Sequence, residues 1–245
     1  MTPFPSIESL RHVVKSVESH CKYHNLPIPV VDYIGTVKLH GSNASVRFTP
    51  DGDIIPQSRN RILSVGDDNF GFAAFVEKNK DIFKPLAPRN GEVTFYGEWC
   101  GGNVQPKVAL EQLEKHFVIF SMLHNGTMSP IARVVSHSEF DITTFNKAGI
   151  YFINQIPLYK VTVDFSRPED IVDHLTDLTI AVEKECPWGK FRVQQQFNNT
   201  CTIENGNITW DYGITDCKIK NEIEAKILQY VQANNLACKR ITISV

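Results

Sequence analysis

Behind Pro5-Ser6 the apolar positions Ile7, Leu10, Val13, Val14 and Val17 recur three and four residues apart, which predicts an amphipathic helix near the start. The period then changes. VVDYIGTVKL (30–39), ASVRFTP (44–50) and DIIPQSR (53–59) read as extended runs, the last two joined across Asp51-Gly52, a strong hairpin pair. NFGFAAFVEKNK (69–80) predicts a short helix, whereas EVTFYGEW (92–99) and HFVIFSML (116–123), rich in aromatic and β-branched residues, predict central strands. Asn125-Gly126 marks a further turn. Residues 167–186 give the clearest helix: Pro168 stands early, acids fill the first turns, and Ile171, Leu175, Leu178 and Val182 form one stripe. Two strands around Asn205-Gly206, a run over ITDCKIKN (214–221) and a helix over EIEAKILQYVQANN (222–235) follow. The elements predict an α+β fold, antiparallel sheets flanked by helices, with no repeat and no long linker.

Composition changes this picture little. The chain has 245 residues, 42% hydrophobic and 21% charged, with a formal net charge of −2, so no global basic field announces a polyanionic partner. Residues 184–245 hold eight basic and six acidic side chains, a net of +2, enough for a local groove only. The six cysteines form no C-x-x-C pair and no finger-like spacing with histidine, which favours reduced, buried thiols. The first residues lack a signal-peptide pattern and no apolar run reaches the roughly 20 residues that span a bilayer; the expectation is a cytoplasmic protein without a membrane partner.

The chemistry concentrates in KLHGSN (38–43), where a lysine follows a strand and opens into small residues. With 16 lysines and 14 glycines, K-x-x-G arises by chance roughly once at this composition, so the spacing alone carries nothing. Gly41 can take backbone angles other residues avoid, and Ser42 and Asn43 offer short hydrogen-bonding groups. A lysine whose amine is desolvated or set beside another cation becomes a nucleophile. Each residue also has a plainer reading. Lys38 can be a solvated strand residue, Glu98 an edge charge and Phe120 core, while Arg59 and Arg61 can pair with Asp67 and Asp68.

Lys38-Leu-His40-Gly41-Ser-Asn43 resembles the nucleotidyl-transferase motif K-x-[DH]-G of covalent ligases and capping enzymes. His before Gly, with Asn two residues on, looks most like the RNA ligase 2 family. Further motifs follow in the order that resemblance requires: Gln57-Ser-Arg59, Phe95-Tyr-Gly-Glu98-Trp, Phe117-Val-Ile-Phe120 and Cys217-Lys218-Ile-Lys220-Asn. The opening FPSIESLR is similar to that of phage members of the broader group, so the resemblance spans residues 4 to 221.

The resemblance implies an ATP-dependent RNA ligase of the ATP-grasp-like nucleotidyltransferase fold. Residues 1–221 would form the adenylyltransferase domain and 222–245 a short extension in place of a full C-terminal domain. It makes Lys38 the nucleophile that takes AMP from ATP. His40, Gly41, Arg59, Glu98 and Phe120 line the nucleotide site, Glu98 on the ribose and Phe120 on the adenine. Lys218 and Lys220, two apart on a strand and therefore on one face, meet the α-phosphate. Asn43 and Arg59 orient RNA ends, nicked or single-stranded, and Glu204 serves Mg²⁺ (or Mn²⁺). Asn205 stands where the metal motif carries glycine, Asn205-Gly206 is equally a hairpin turn, and Ser121 replaces an aspartate. The alternatives are a DNA ligase or capping-type enzyme, and a non-catalytic nucleotide- or RNA-end-binding protein of the same fold.

Overall fold

The computed structural model describes residues 1–106, 108–131, 141–186 and 188, together with the strands 201–204, 207–210 and 240–243. It divides into two units, Met1–Gly189 and Lys190–Val245. The domain boundary expected at 221/222, the strand over 214–221 and the helix over 222–235 lie outside the described residues. Among those residues no helix is long and apolar enough to cross a membrane.

The first unit is built on a sheet with the strand order β3-β2-β4-β5-β6. Its strands are β2 (Gly41–Phe48), β3 (Ile54–Ser58), β4 (Val93–Cys100), β5 (His116–His124) and β6 (Thr127–Pro130), with β7 (Ile150–Phe152) alongside β5. Pairing is antiparallel except for β7, which runs parallel to β5. Pro56 sits inside β3, which its place at the sheet's edge permits.

Residues of alternating parity divide the sheet into two faces. Ala44, Val46, Phe48, Val93, Phe95, Trp99, Phe117 and Ile119 are buried on one face in the main core. Against them packs α2 (Phe72–Lys78): Phe72 meets Trp99 and Phe117 at ring separations of 5.4 and 5.0 Å, and Phe75 meets Trp99 at 4.7 Å. Such pairs are worth about 0.5–1.5 kcal/mol each beyond the area they bury. The other face carries Asn43, Ser45, Arg47, Thr94, Tyr96 and Glu98, a polar row that nothing in the core requires.

The predicted helix over 69–80 starts late. Phe70 and Gly71 both have positive φ, so α2 begins only at Phe72, where the Asp68 carboxylate accepts the Ala73 and Ala74 N–H groups. The chain breaks again at Asn79 before the four-residue α3 (Lys80–Phe83).

A second, smaller core lies under β1 (Val30–Thr36) and β8 (Leu158–Asp164), an antiparallel ribbon covered by α1 (Leu10–His24) and α5 (Pro168–Glu185). Leu10, Val13, Val14 and Val17 supply the predicted stripe of α1, but Ile7 is 82% exposed and precedes the helix. The helix α5 matches its prediction, with Pro168 at its first position. Between β7 and the 131–141 region lies α4 (Ile142–Lys147), capped by the Asp141 carboxylate, which accepts the Thr143 and Thr144 N–H groups.

β1 ends at Thr36 rather than at Leu39 as the extended run suggests. Its partner starts at Leu158, directly after Pro157, which has no N–H to continue the ladder. The second unit, within its described residues, holds β9 (Cys201–Glu204) antiparallel to β10 (Asn207–Trp210), and β11 (Arg240–Ile243) parallel to β10.

Candidate active site

Lys38 lies in the connection between β1 and β2, not inside a strand. The connection keeps the alternation of an extended chain. Val37 and Leu39 pack on the main core, while Lys38 and His40 between and after them are exposed. Two apolar anchors thus hold the lysine toward solvent at the end of the sheet where β2 begins.

Gly41 is the first residue of β2, not part of a turn, and its φ is not positive. Glycine is needed there for a different reason from the one the sequence suggests: a Cβ would overlap the carbonyl oxygen of Trp99 on β4. This close approach lets the Gly41 N–H reach the Glu98 carboxylate. Upstream, the Tyr159 ring occupies the space a side chain would take at its register partner Gly35, three residues before Lys38. Its hydroxyl meets Thr179 Oγ1 of α5 at 3.3 Å, tying the approach to Lys38 into the smaller core.

Glu98 is the electrostatic centre. Burial pushes its carboxyl up to about 7, against the opposing pull of the Gly41 N–H and of the Lys38 and Arg59 charges. The structure therefore brings Lys38, Gly41, Arg59 and Glu98 together. Asn43 stands directly opposite Glu98 across β2–β4, and opposed residues share a face, so it joins them.

The two arginines part company. Arg61 pairs with Asp67 and donates to the Asp68 carbonyl, a staple within the 59–71 loop, whereas Arg59 bears on Glu98. The same loop is fastened to β2 by Asn69, whose Nδ2 donates to Ser42 Oγ at 2.9 Å.

Phe120 is placed by an irregularity. Tyr96 pairs with Ser121 and Gly97 with Ile119, which leaves Phe120 as the extra residue of a β-bulge. Bulges re-aim side chains. Phe120 is partly exposed, and its ring meets that of Phe4 at 5.0 Å.

Glu204 closes β9 and pairs with Asn207, so the predicted strands around Asn205-Gly206 are present. Lys218 and Lys220 lie outside the described residues. No group of three His, Cys, Asp or Glu side chains is placed to hold a metal among the described residues. The described residues thus offer a divalent cation no dedicated cage, which leaves substrate phosphates to bind most of it, as magnesium favours.

Three contributors were not read from the sequence: Tyr96, Phe4 and the Ser42–Asn69 tie. A tyrosine in an apolar strand and a phenylalanine between two prolines were the available signals.

The RNA ligase family model matches residues 31–203. The chain belongs to the RNA ligase family. No curated protein sequence matches it. Among solved structures it is similar to a Naegleria gruberi RNA ligase mutant with AMP and Mn, at 19% identity and a TM-score of 0.46, covering 70% of this chain and 46% of that one. A second mutant of that ligase, with ATP and Mn, gives 19% identity and a TM-score of 0.45 over 68% and 45% of the two chains. The chain spans a little under half the length of the Naegleria ligase.

Proposed function

We propose that the chain is an ATP-dependent RNA ligase that joins 3′-OH and 5′-phosphate RNA ends through an AMP adduct on Lys38. The observation that carries this reading is the convergence of Lys38, Arg59 and the Gly41 N–H on one half-buried carboxylate, Glu98. A solvated strand lysine has no need of that company.

The chemistry is phosphoryl transfer, which depends on positioning and charge neutralisation. The Lys38 Nζ lone pair attacks the α-phosphorus of ATP, the bond from that phosphorus to the bridging oxygen breaks, pyrophosphate leaves, and the amine's proton passes to solvent. Ionised Glu98 accepts the ribose hydroxyls beside Asn43. Phe120 offers its ring to the adenine, a contact typically worth about 1–3 kcal/mol. Arg59 neutralises phosphate charge next to Glu98. Mg²⁺ or Mn²⁺ supplies further neutralisation of the triphosphate when bound. Resemblance alone assigns Lys218 and Lys220 to the α-phosphate and Glu204 to the metal. The AMP then passes to an RNA 5′-phosphate, and a 3′-OH displaces it to seal the strand.

The test is incubation with Mg²⁺ and ATP labelled at the α-phosphate, then a denaturing gel, with Lys38→Ala and labelled GTP alongside. Label on the wild-type chain with ATP, absent from Lys38→Ala, is the expected result. A folded wild-type chain that takes no label with either divalent metal overturns the proposal.

A further inference from the structure

The N-terminal segment supplies an aromatic side chain to the candidate nucleotide site. Phe4 lies between Pro3 and Pro5. Each proline ring fixes its own φ, and Pro5 also holds Phe4 in extended backbone, so the segment loses little freedom on docking. It is pinned at Thr2, whose carbonyl oxygen accepts the Tyr96 hydroxyl at 2.7 Å. Tyr96 is 1% exposed and stands two residues before Glu98, on the same sheet face.

From that anchor the Phe4 ring reaches two partners. It lies 5.4 Å from the Tyr96 ring at 53°, and 5.0 Å from Phe120, nearly perpendicular at 74°. Phe120 is held in part by the main core. As the extra residue of a bulge it has no register partner on β4 to hold its side chain. The edge-to-face contact with Phe4 therefore adds a constraint on the plane of that ring.

We propose that Phe4 is a positioning residue for the nucleotide base. The Thr2–Tyr96 hydrogen bond holds Phe4 in place, and Phe4 sets the plane of Phe120 on which the base stacks. This inference rests on the reading of Phe120 as the stacking residue. Phe4 acts through Phe120 and touches no reacting atom, so its loss affects nucleotide binding rather than the transfer step.

The experiment measures KM for ATP and kcat for Lys38 labelling in the wild type, Phe4→Ala, Phe4→Leu and Phe4→Tyr, each checked for folding by its thermal transition. The expected result is a KM raised about three- to tenfold in Phe4→Ala and Phe4→Leu, with kcat within about twofold, the range set by one aromatic pair. Phe4→Tyr, which keeps the ring, should restore KM. Should Phe4→Ala not fold, the Leu and Tyr variants decide the matter between them. A wild type that labels while Phe4→Leu matches it in KM overturns the inference and leaves the ligase reading intact. The inference is overturned equally if kcat falls with KM unchanged, because the segment would then act on the chemistry. A wild type that takes no label removes both.

Discussion

Gly41 and Glu98 meet because one has no side chain and the other is half-buried: the strand backbones approach closely at Gly41, and its N–H reaches the carboxylate. Asn43, two residues along β2, faces the same carboxylate across the ladder. The Gly41 N–H and the Lys38 and Arg59 charges only partly offset the burial, so Glu98 titrates near neutrality.

That placement costs stability. A carboxyl raised from 4.5 to about 7 on folding holds a proton that the unfolded chain has already released, so stability is greatest below 4.5 and falls as pH climbs through 7. The shift corresponds to about 3 kcal/mol at its upper limit. Glu98→Gln, which keeps an oxygen for the Gly41 N–H, should therefore be more stable than the wild type at pH 8 by about 1–3 kcal/mol and close to it at pH 4.5. Urea denaturation at the two pH values measures this, and lower stability of the Gln variant at pH 8 contradicts it. The same variant should label poorly with ATP, since an amide does not replace an ionised acceptor for ribose.

Arg59 and Arg61 separate in the same experiment run on nucleotide. ATP binding should strengthen as pH rises through about 7, where Glu98 ionises. Removing Arg59 withdraws one of the charges that favour the ionised form, so Arg59→Ala should move the midpoint to higher pH and weaken binding overall. Arg61→Ala breaks only an exposed loop staple, worth about 0–1 kcal/mol, and should leave the midpoint in place. Equal movement by both variants would show that the 59–71 loop, not the Arg59 charge, governs Glu98.

Gly41→Ala is expected to lose about 1–3 kcal/mol, because a methyl group there meets backbone that cannot rotate away. Labelling should fall with it, as the Gly41 N–H draws back from Glu98. Gly66→Ala is the control in the nearby loop. Its added Cβ has open space and its φ is not positive, so it should be neutral or more stable by about 0.4–1 kcal/mol. Thermal melts of the two variants decide this, and a Gly66→Ala loss as large as that of Gly41→Ala would remove the close-approach argument.

Much of this site is legible in the sequence because Lys38, Arg59 and Glu98 each stand beside or within a recognisable extended run. The strands that position them show plainly as well, since β4 and β5 are rich in aromatic and β-branched residues. The pairing of β1 with β8 was not legible, because Val30 and its partner Asp164 lie far apart along the chain. Nor was the true role of Gly41, which depends on a Trp99 carbonyl contributed by another strand. The bulge at Phe120 leaves no mark in the pattern, since inserting one residue in an apolar run keeps it apolar. Helix starts were misplaced where tertiary contacts decide them: Ile7 fits the period of α1 but has nothing to pack on.

At the end of β4 beyond Glu98, Cys100 and His116 form a buried pair that resembles a thiol–imidazole nucleophile and behaves as the opposite. His116 Nδ1 lies 2.8 Å from the Glu114 carbonyl, which can only accept, so the proton is on Nδ1 and Nε2 accepts from the Cys100 thiol at 3.3 Å. Burial drives both groups toward neutrality, raising the thiol above its ordinary range, with the Glu98 charge adding to this, and lowering the imidazole. The pair is thus a neutral hydrogen bond inside the core, and Cys100 should resist iodoacetamide at pH 8 in the folded protein and react once urea unfolds it. The imidazole has a matching signature. Its folded value lies below 6.5, so its contribution to stability is complete above 6.5 and is lost as pH falls below that value, opposing the slope Glu98 imposes over the same interval. In Glu98→Gln the opposing slope is gone, and stability should rise more steeply than in the wild type as pH approaches 6.5 from below. Rapid alkylation of Cys100 in the native state would show that the pair carries charge, and an unchanged slope in Glu98→Gln would show that Glu98 imposes none.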